Sequence, residues 1–236
     1  SHYRIRRATM SPGQKRPLVA LISANPAAMT PANSAFADEF PEARLWNILD
    51  DRLQDDADPR GVTGSLAERM HRLIDHAVIE GADAILLTCP VYVSALRSFA
   101  DKCPIPLLDP DEMALNGLLH EAPGTVLVLA SAPQPLTVAL NRFINECAER
   151  AAPVEIRGAV AKNAKAAALA GNTKELTDAL VTTVSGQRTA PDAILLAQYS
   201  LAPAARALET ATGIPVFSGP LSSAAALRRT TLGGSR

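Results

Sequence analysis

Cysteine is scarce in this chain: three in 236 residues, at 89, 103 and 147. That is too few, and too scattered, for a disulfide scaffold or a zinc site. An excess of one charge is missing too. Lysine and arginine number 23 against 24 aspartate and glutamate, a formal net charge of −1, so no global field recruits nucleic acid or an anionic membrane. No apolar run approaches the roughly 18 residues that span a bilayer. Neither GxGxxG nor GxxxxGKS/T follows a strand-like run, so nucleotide phosphates find no cradle. HExxH, CxxC and clustered carboxylates are absent, and His71 and His76 stand five apart, off the i,i+4 spacing of paired ligands. His2 and His120 are isolated. This argues against a metal enzyme. GxSxG, the mark of an α/β-hydrolase, is absent as well.

What the chain does have is apolar mass. Hydrophobic residues make up 47% and charged residues 20%, enough to bury a core and to exclude wholesale disorder. The length fits one large α/β domain or two lobes of about 110 residues each. Arg4, Arg6, Arg7, Lys15 and Arg16 crowd the start with no apolar run of signal-peptide length behind them. Residues 1–16 therefore read as a basic flexible arm, and residues 233–236 as a frayed end. The expectation is a soluble protein of the cytoplasm.

Four continuous apolar runs, at 18–22, 84–87, 125–130 and 193–197, read as strands covered on both faces. Helical spacing follows at 65–79, with Ser65 as the predicted N-cap and Glu68 at the capping-box position, and again at 136–149 and 174–184. Strands alternating with helices predict a parallel sheet and an α/β fold. A self-comparison divides it. The string DAILL at Asp83 recurs at Asp192, a shift of 109 that also pairs Ala95 with Ala204, Arg97 with Arg206 and Ile105-Pro106 with Ile214-Pro215. A shift of 108 sets LVALISA at 18–24 against VLVLASA at 126–132. The chain thus reads as two copies of one β-α-β unit, packed as two pseudo-symmetric lobes.

Ligands of parallel α/β sheets bind beyond the carboxyl ends of the strands. Those ends carry Ser23, Ala24 and Asn25; Thr88, Cys89 and Pro90; Ser131 and Ala132; and Gln198, Tyr199 and Ser200. Facing lobes would bring them to one cleft, where N–H groups at helix starts suit a carboxylate. Cys89 is the residue with reactive potential. It ends a buried strand just before Pro90, a common first helical residue, and a helix start lowers a thiol's pKa. The other reading is a buried structural cysteine. Cys103 and Cys147 read as packing, and Asp50, Asp51, Asp55 and Asp56 as charge on a solvated helix. No arginine or lysine neighbours a strand tip in sequence to declare a second substrate carboxylate, although a more distant one could reach in.

The stretch GADAILLTC at 81–89, its repeat at 192–200, and GIPV at 213–216 before residues 221–229 resemble the aspartate/glutamate/hydantoin racemase superfamily. Residues 36–53, with FPEA at 40–43 and LWNILD at 45–50, resemble the segment after the first strand in one branch of it. The resemblance runs from about residue 16 to 229. It implies a first lobe at 17–117 completed by a C-terminal helix at 221–230, a second lobe at 118–220, and a cofactor-free site in the cleft between them. It also implies a homodimer acting on a small carboxylate; the charge balance and the lack of a spanning run set the expectation of no nucleic acid or membrane partner.

In such racemases one cysteine from each lobe flanks the substrate α-carbon. Cys89 matches the first. The second position holds Gln198 or its neighbour Tyr199, and an amide does not titrate. The expected substrate-binding residues are Asn25, Thr88, Pro90, Val91, Ser131, Gln198, Tyr199 and Ser200. Three readings remain. One is a racemase or isomerase with Cys89 as acid/base, aided by water, Tyr199 or the substrate. Another is a one-cysteine decarboxylase or cis–trans isomerase of malonate- or maleate-like diacids. The third is a carboxylate-binding protein without turnover.

Overall fold

A computed structural model describes residues 13, 15–57 and 61–233 of the chain. Most of the predicted basic arm and the last three residues lie outside them. Arg16, within them, donates to the carbonyls of Pro41, Glu42 and Ala43 at 3.0–3.3 Å.

The first half runs β1 (Leu18–Ser23), α1 (Met29–Glu39), β2 (Arg44–Leu49), α2 (Leu53–Ala57), α3 (Gly64–Ile79), β3 (Ala84–Leu87), α4 (Val93–Arg97), β4 (Leu107–Leu108) and α5 (Glu112–His120). The second runs β5 (Thr125–Ala130), α6 (Pro133–Glu149), β6 (Glu155–Val160), α7 (Ala164–Leu169), α8 (Thr173–Ser185), β7 (Ala193–Leu196), α9 (Ala205–Thr212), β8 (Val216–Ser218) and α10 (Gly219–Leu232). Two parallel four-stranded sheets result, ordered β2-β1-β3-β4 and β6-β5-β7-β8. The α/β fold with two similar lobes is the one expected.

Each sheet is covered on both faces, which is why its central strands are continuously apolar. Ala20, Ile22, Ile85 and Leu87 face α3, whose Leu66, Met70, Ile74 and Ala77 form one buried stripe. Val19, Leu21, Ala84 and Leu86 point the other way, toward α1 and α10. The edge strands β2 and β6 are only half-buried and carry no unbroken apolar run, so the sequence pattern passes over them. The predicted N-cap moves by two residues. Thr63, not Ser65, caps α3, its hydroxyl accepting the Leu66 N–H at 3.3 Å.

The repeat is exact at the later strands and slides at the first. Ile85 pairs with Leu107 and Ile194 with Val216, which keeps the shift of 109. For β1 and β5 the shift is 107 rather than 108, because the same device anchors both. Asp83 accepts the N–H of Leu18 at 2.7 Å and Asp192 accepts that of Thr125 at 2.9 Å. Alternating aliphatic letters match nearly as well one residue out of step; the two carboxylates fix the true register.

The halves exchange a helix. Leaving β4, α5 packs Ala114, Leu115 and Leu118 against Val126, Val128, Ala193 and Leu195 of the second sheet. Leaving β8, α10 returns Ala224 and Leu227 to Val19, Leu21, Ala84 and Leu86 of the first. The two crossing turns touch at Gly219, where a Cβ would stand 2.5 Å from the Pro110 carbonyl. Arg142 of α6 grips the outgoing turn through Asp109 and Asp111 at 2.6 and 2.7 Å. No helix among the described residues is long and apolar enough to cross a membrane.

Candidate active site

Cys89 follows β3 and caps the 3-10 turn Pro90–Tyr92, which runs on into α4. The thiol therefore sits at a helix start, but its environment differs from the expected one. It is buried among Ala24, Leu53 and Tyr92. Burial pushes the thiol up, and the N–H groups of Val91 and Tyr92, which favour thiolate, only partly offset it. The lowered pKa expected from position alone is overturned: loss of hydration outweighs the few N–H groups of a one-turn 3-10 segment. Burial thus favours the protonated thiol over the thiolate.

The strand tips around it are already paired. Thr88 is buried and shares a 2.7 Å hydrogen bond with Ser23 across β3 and β1. Asn25 accepts the Ala27 N–H at 2.9 Å and donates to Gln54 at 3.3 Å. Pro90 and Val91 are exposed. In the second lobe, Gln198 occupies the place of Cys89 at the shift of 109, and its side-chain oxygen accepts the Ser131 N–H at 2.7 Å. Ser131 itself is matched by Ala24 at the shift of 107. The amide thus closes β5 against β7 where the first lobe carries Cys89 and Ala24 in one buried cluster.

Tyr199 is buried in the first lobe's core. Its hydroxyl donates to the Pro110 carbonyl at 3.0 Å, and burial holds its pKa well above the usual value. Ser200 is half-buried in the turn Tyr199–Ala204. That turn lies against Pro26–Ala28, so the β1 and β7 tips meet across the lobe boundary. Cavities of about 60 and 20 Å³ lie nearby. The larger is lined by α1, α10 and the turn after β7, the smaller by Asp111, Arg142 and the end of β7, and neither includes Cys89.

The sequence pattern missed two charged groups. Asp50 is half-buried at the end of β2 rather than solvated helix charge, and Asp56, exposed on α2 as expected, is ion-paired with it to one arginine. Arg69 of α3 reaches Asp50 through Nε and Nη2 at 2.7 and 2.5 Å, and Asp56 through Nη1 at 2.7 Å. A cation therefore does stand beside a strand tip, brought from 19 residues away, a pairing no local spacing announces. The second group is Arg142 with Asp109 and Asp111. Burial pushes Asp111 up to about 6 against the pull of Arg142, and raises Glu112 as well. Among the described residues no three His, Cys, Asp or Glu side chains converge as a metal site.

No family model and no curated protein matches the chain in sequence. Solved structures match in fold. The aspartate racemase of Picrophilus torridus superposes with a TM-score of 0.66 at 16% identity, over 91% of this chain and 94% of that one. The allantoin racemase of Klebsiella pneumoniae gives 0.65 at 14%, over 92% and 89%. Unliganded arylmalonate decarboxylase gives 0.58 at 17%, over 93% and 94%. The two-lobed α/β architecture of this chain is thus a fold it shares with these two racemases and this decarboxylase.

Proposed function

We propose that the chain is a cofactor-independent enzyme working at the α-carbon of a small carboxylate, with Cys89 as its one proton-carrying thiol. The observation that carries this reading is Gln198. It holds the second-lobe position equivalent to Cys89, and its amide is bonded to the Ser131 N–H. An amide neither gives nor takes a proton near neutral pH, so the two lobes supply unequal chemistry.

One-sided protonation suits that inequality best. A substituted malonate would lose CO₂ by breaking its C–CO₂ bond, leaving the electron pair on the α-carbon as an enediolate. The Cys89 S–H proton then passes to that carbon, and the thiolate recovers a proton from water. A thiol raised by burial is already in the donor state. Backbone N–H groups at the strand tips would stabilise the enediolate oxygens. Racemisation is the second reading, favoured by the Val91 and Tyr92 N–H groups that stabilise thiolate at Cys89. It requires water or the substrate to serve the opposite face.

Proton NMR in D₂O tests both, with a panel of substituted malonates, maleate, aspartate, glutamate and hydantoins. Cys89-dependent CO₂ loss with one deuteron gained is the expected result, and Cys89→Ala should lower turnover by about 10²–10⁴-fold. A fully active Cys89→Ala variant would sink both enzymatic readings.

A further inference from the structure

The thiol shares its packed cluster with a segment that has its own fastening. Residues 50–57 run from the end of β2 through α2, and their Leu53 and Ala57 share one packed cluster with Cys89, Ala24 and Tyr92. Tyr92, fully buried, donates its hydroxyl to the Leu53 carbonyl at 2.6 Å. The middle of the segment is tied by the 3.3 Å bond from Asn25 to Gln54. Both ends are held by one side chain, with Arg52 of the segment itself a longer 3.5 Å partner of Asp56. Arg69 grips Asp50 with two nitrogens and Asp56 with the third. Such forked pairs are the strong kind of charged hydrogen bond. They remain open to competition here, since Arg69, Asp50 and Asp56 are 24%, 19% and 31% exposed at their side chains.

We propose that residues 50–57 form a cover over Cys89 and that Arg69 is the latch holding it shut. Arg69 is a positioning residue that acts through the cover and does not touch the reacting atoms. Opening frees a guanidinium at the same end of the lobe as the uncovered thiol. A small carboxylate then offers Arg69 what Asp56 withdraws, which favours the open state only when an anion is present. The class of anion rests on the proposed function. The cover itself rests on packing and the Arg69 bonds, and it holds whatever reaction Cys89 performs.

Alkylation by iodoacetamide, resolved for each cysteine by peptide mass spectrometry, tests the cover without any turnover. Cys147 on α6 provides the control, since it is 5% exposed, as is Cys89, and lies in the other lobe's core. Asp56→Asn is expected to speed Cys89 alkylation by about tenfold at every pH while Cys147 keeps its rate. Arg69→Lys, which retains a charge but loses the fork, should fall between Asp56→Asn and the wild type. If Asp56→Asn does not fold, Arg69→Lys carries the test by the same criterion. An unchanged Cys89 rate overturns the cover, as does an equal rise at Cys147. A displaced pH midpoint with an unchanged plateau also overturns it, because charge rather than access has then changed.

Discussion

The two lobes share a frame and differ at one tip. Asp83 and Asp192 pin the same strand starts, and the β3–β4 and β7–β8 pairings coincide at a shift of 109. At the carboxyl ends, Cys89 is buried in a cluster of first-lobe side chains, whereas Gln198 is fastened to the neighbouring strand. One duplicated scaffold thus carries a titratable group on one side and a structural amide on the other. Pseudo-symmetry constrains the sheet, whereas the residue just beyond each strand is free to differ.

Gln198→Cys attacks the comparison most directly and should have the largest effect, since it returns a thiol to the second tip. Exchange of the α-proton at both faces is expected in D₂O; its absence would show that the second tip does not face the substrate. The variant also leaves the Ser131 N–H without its acceptor, at a stability cost of about 1–3 kcal/mol, readable as a lower denaturant midpoint.

Gly219→Ala probes the crossing that joins the lobes. The added Cβ would meet the Pro110 carbonyl at 2.5 Å, Asp111 Oδ1 at 2.9 Å and the Tyr199 ring at 2.9 Å. Backbone and a buried ring cannot simply turn aside, so a loss of about 1–3 kcal/mol is expected in urea unfolding. Gly158→Ala is the contrast. Its Cβ would meet only the methyl ends of Leu136 and Leu140 at 2.8–3.2 Å, and these can rotate, so its loss should be smaller.

The smallest effect concerns pH. Asp111 has a native pKa of about 6 against an ordinary 3.8, so between these values the folded chain binds more protons than the unfolded one. Stability from this group is therefore greatest in acid and falls as pH rises through about 4–6. Glu112, raised in the same turn, adds to the slope with the same sign. Asp111→Asn should flatten this part of the urea-midpoint profile; an unchanged slope would mean that Asp111 titrates normally.

Much of the frame was legible in the sequence because buried parallel strands must be apolar throughout. The runs at 18–22, 84–87 and 125–130 fall within strands of the structure, and that at 193–197 overruns β7 by one residue. The strands β2, β4, β6 and β8 lack that signal, being half-exposed or only two or three residues long. The position of Cys89 before a helical turn was legible from Pro90, but the direction of its pKa was not. That depends on Leu53 and Tyr92 packing around it, contacts set by tertiary structure. The Arg69 and Arg142 clusters were hidden for the same reason, since each joins residues 13–33 apart. Tyr199 shows the limit of reasoning by strand tips. It stands one residue past Gln198, yet its ring turns into the first lobe's core.

The most direct test of chemically unequal lobes is the stereochemistry of the product. A prochiral substituted malonate would be turned over in D₂O and the acid formed would be resolved on a chiral column. Chemically unequal lobes yield one enantiomer bearing a single α-deuteron, lost with Cys89→Ala. Equal amounts of both enantiomers from the wild-type chain, formed without racemisation of added product, would contradict it.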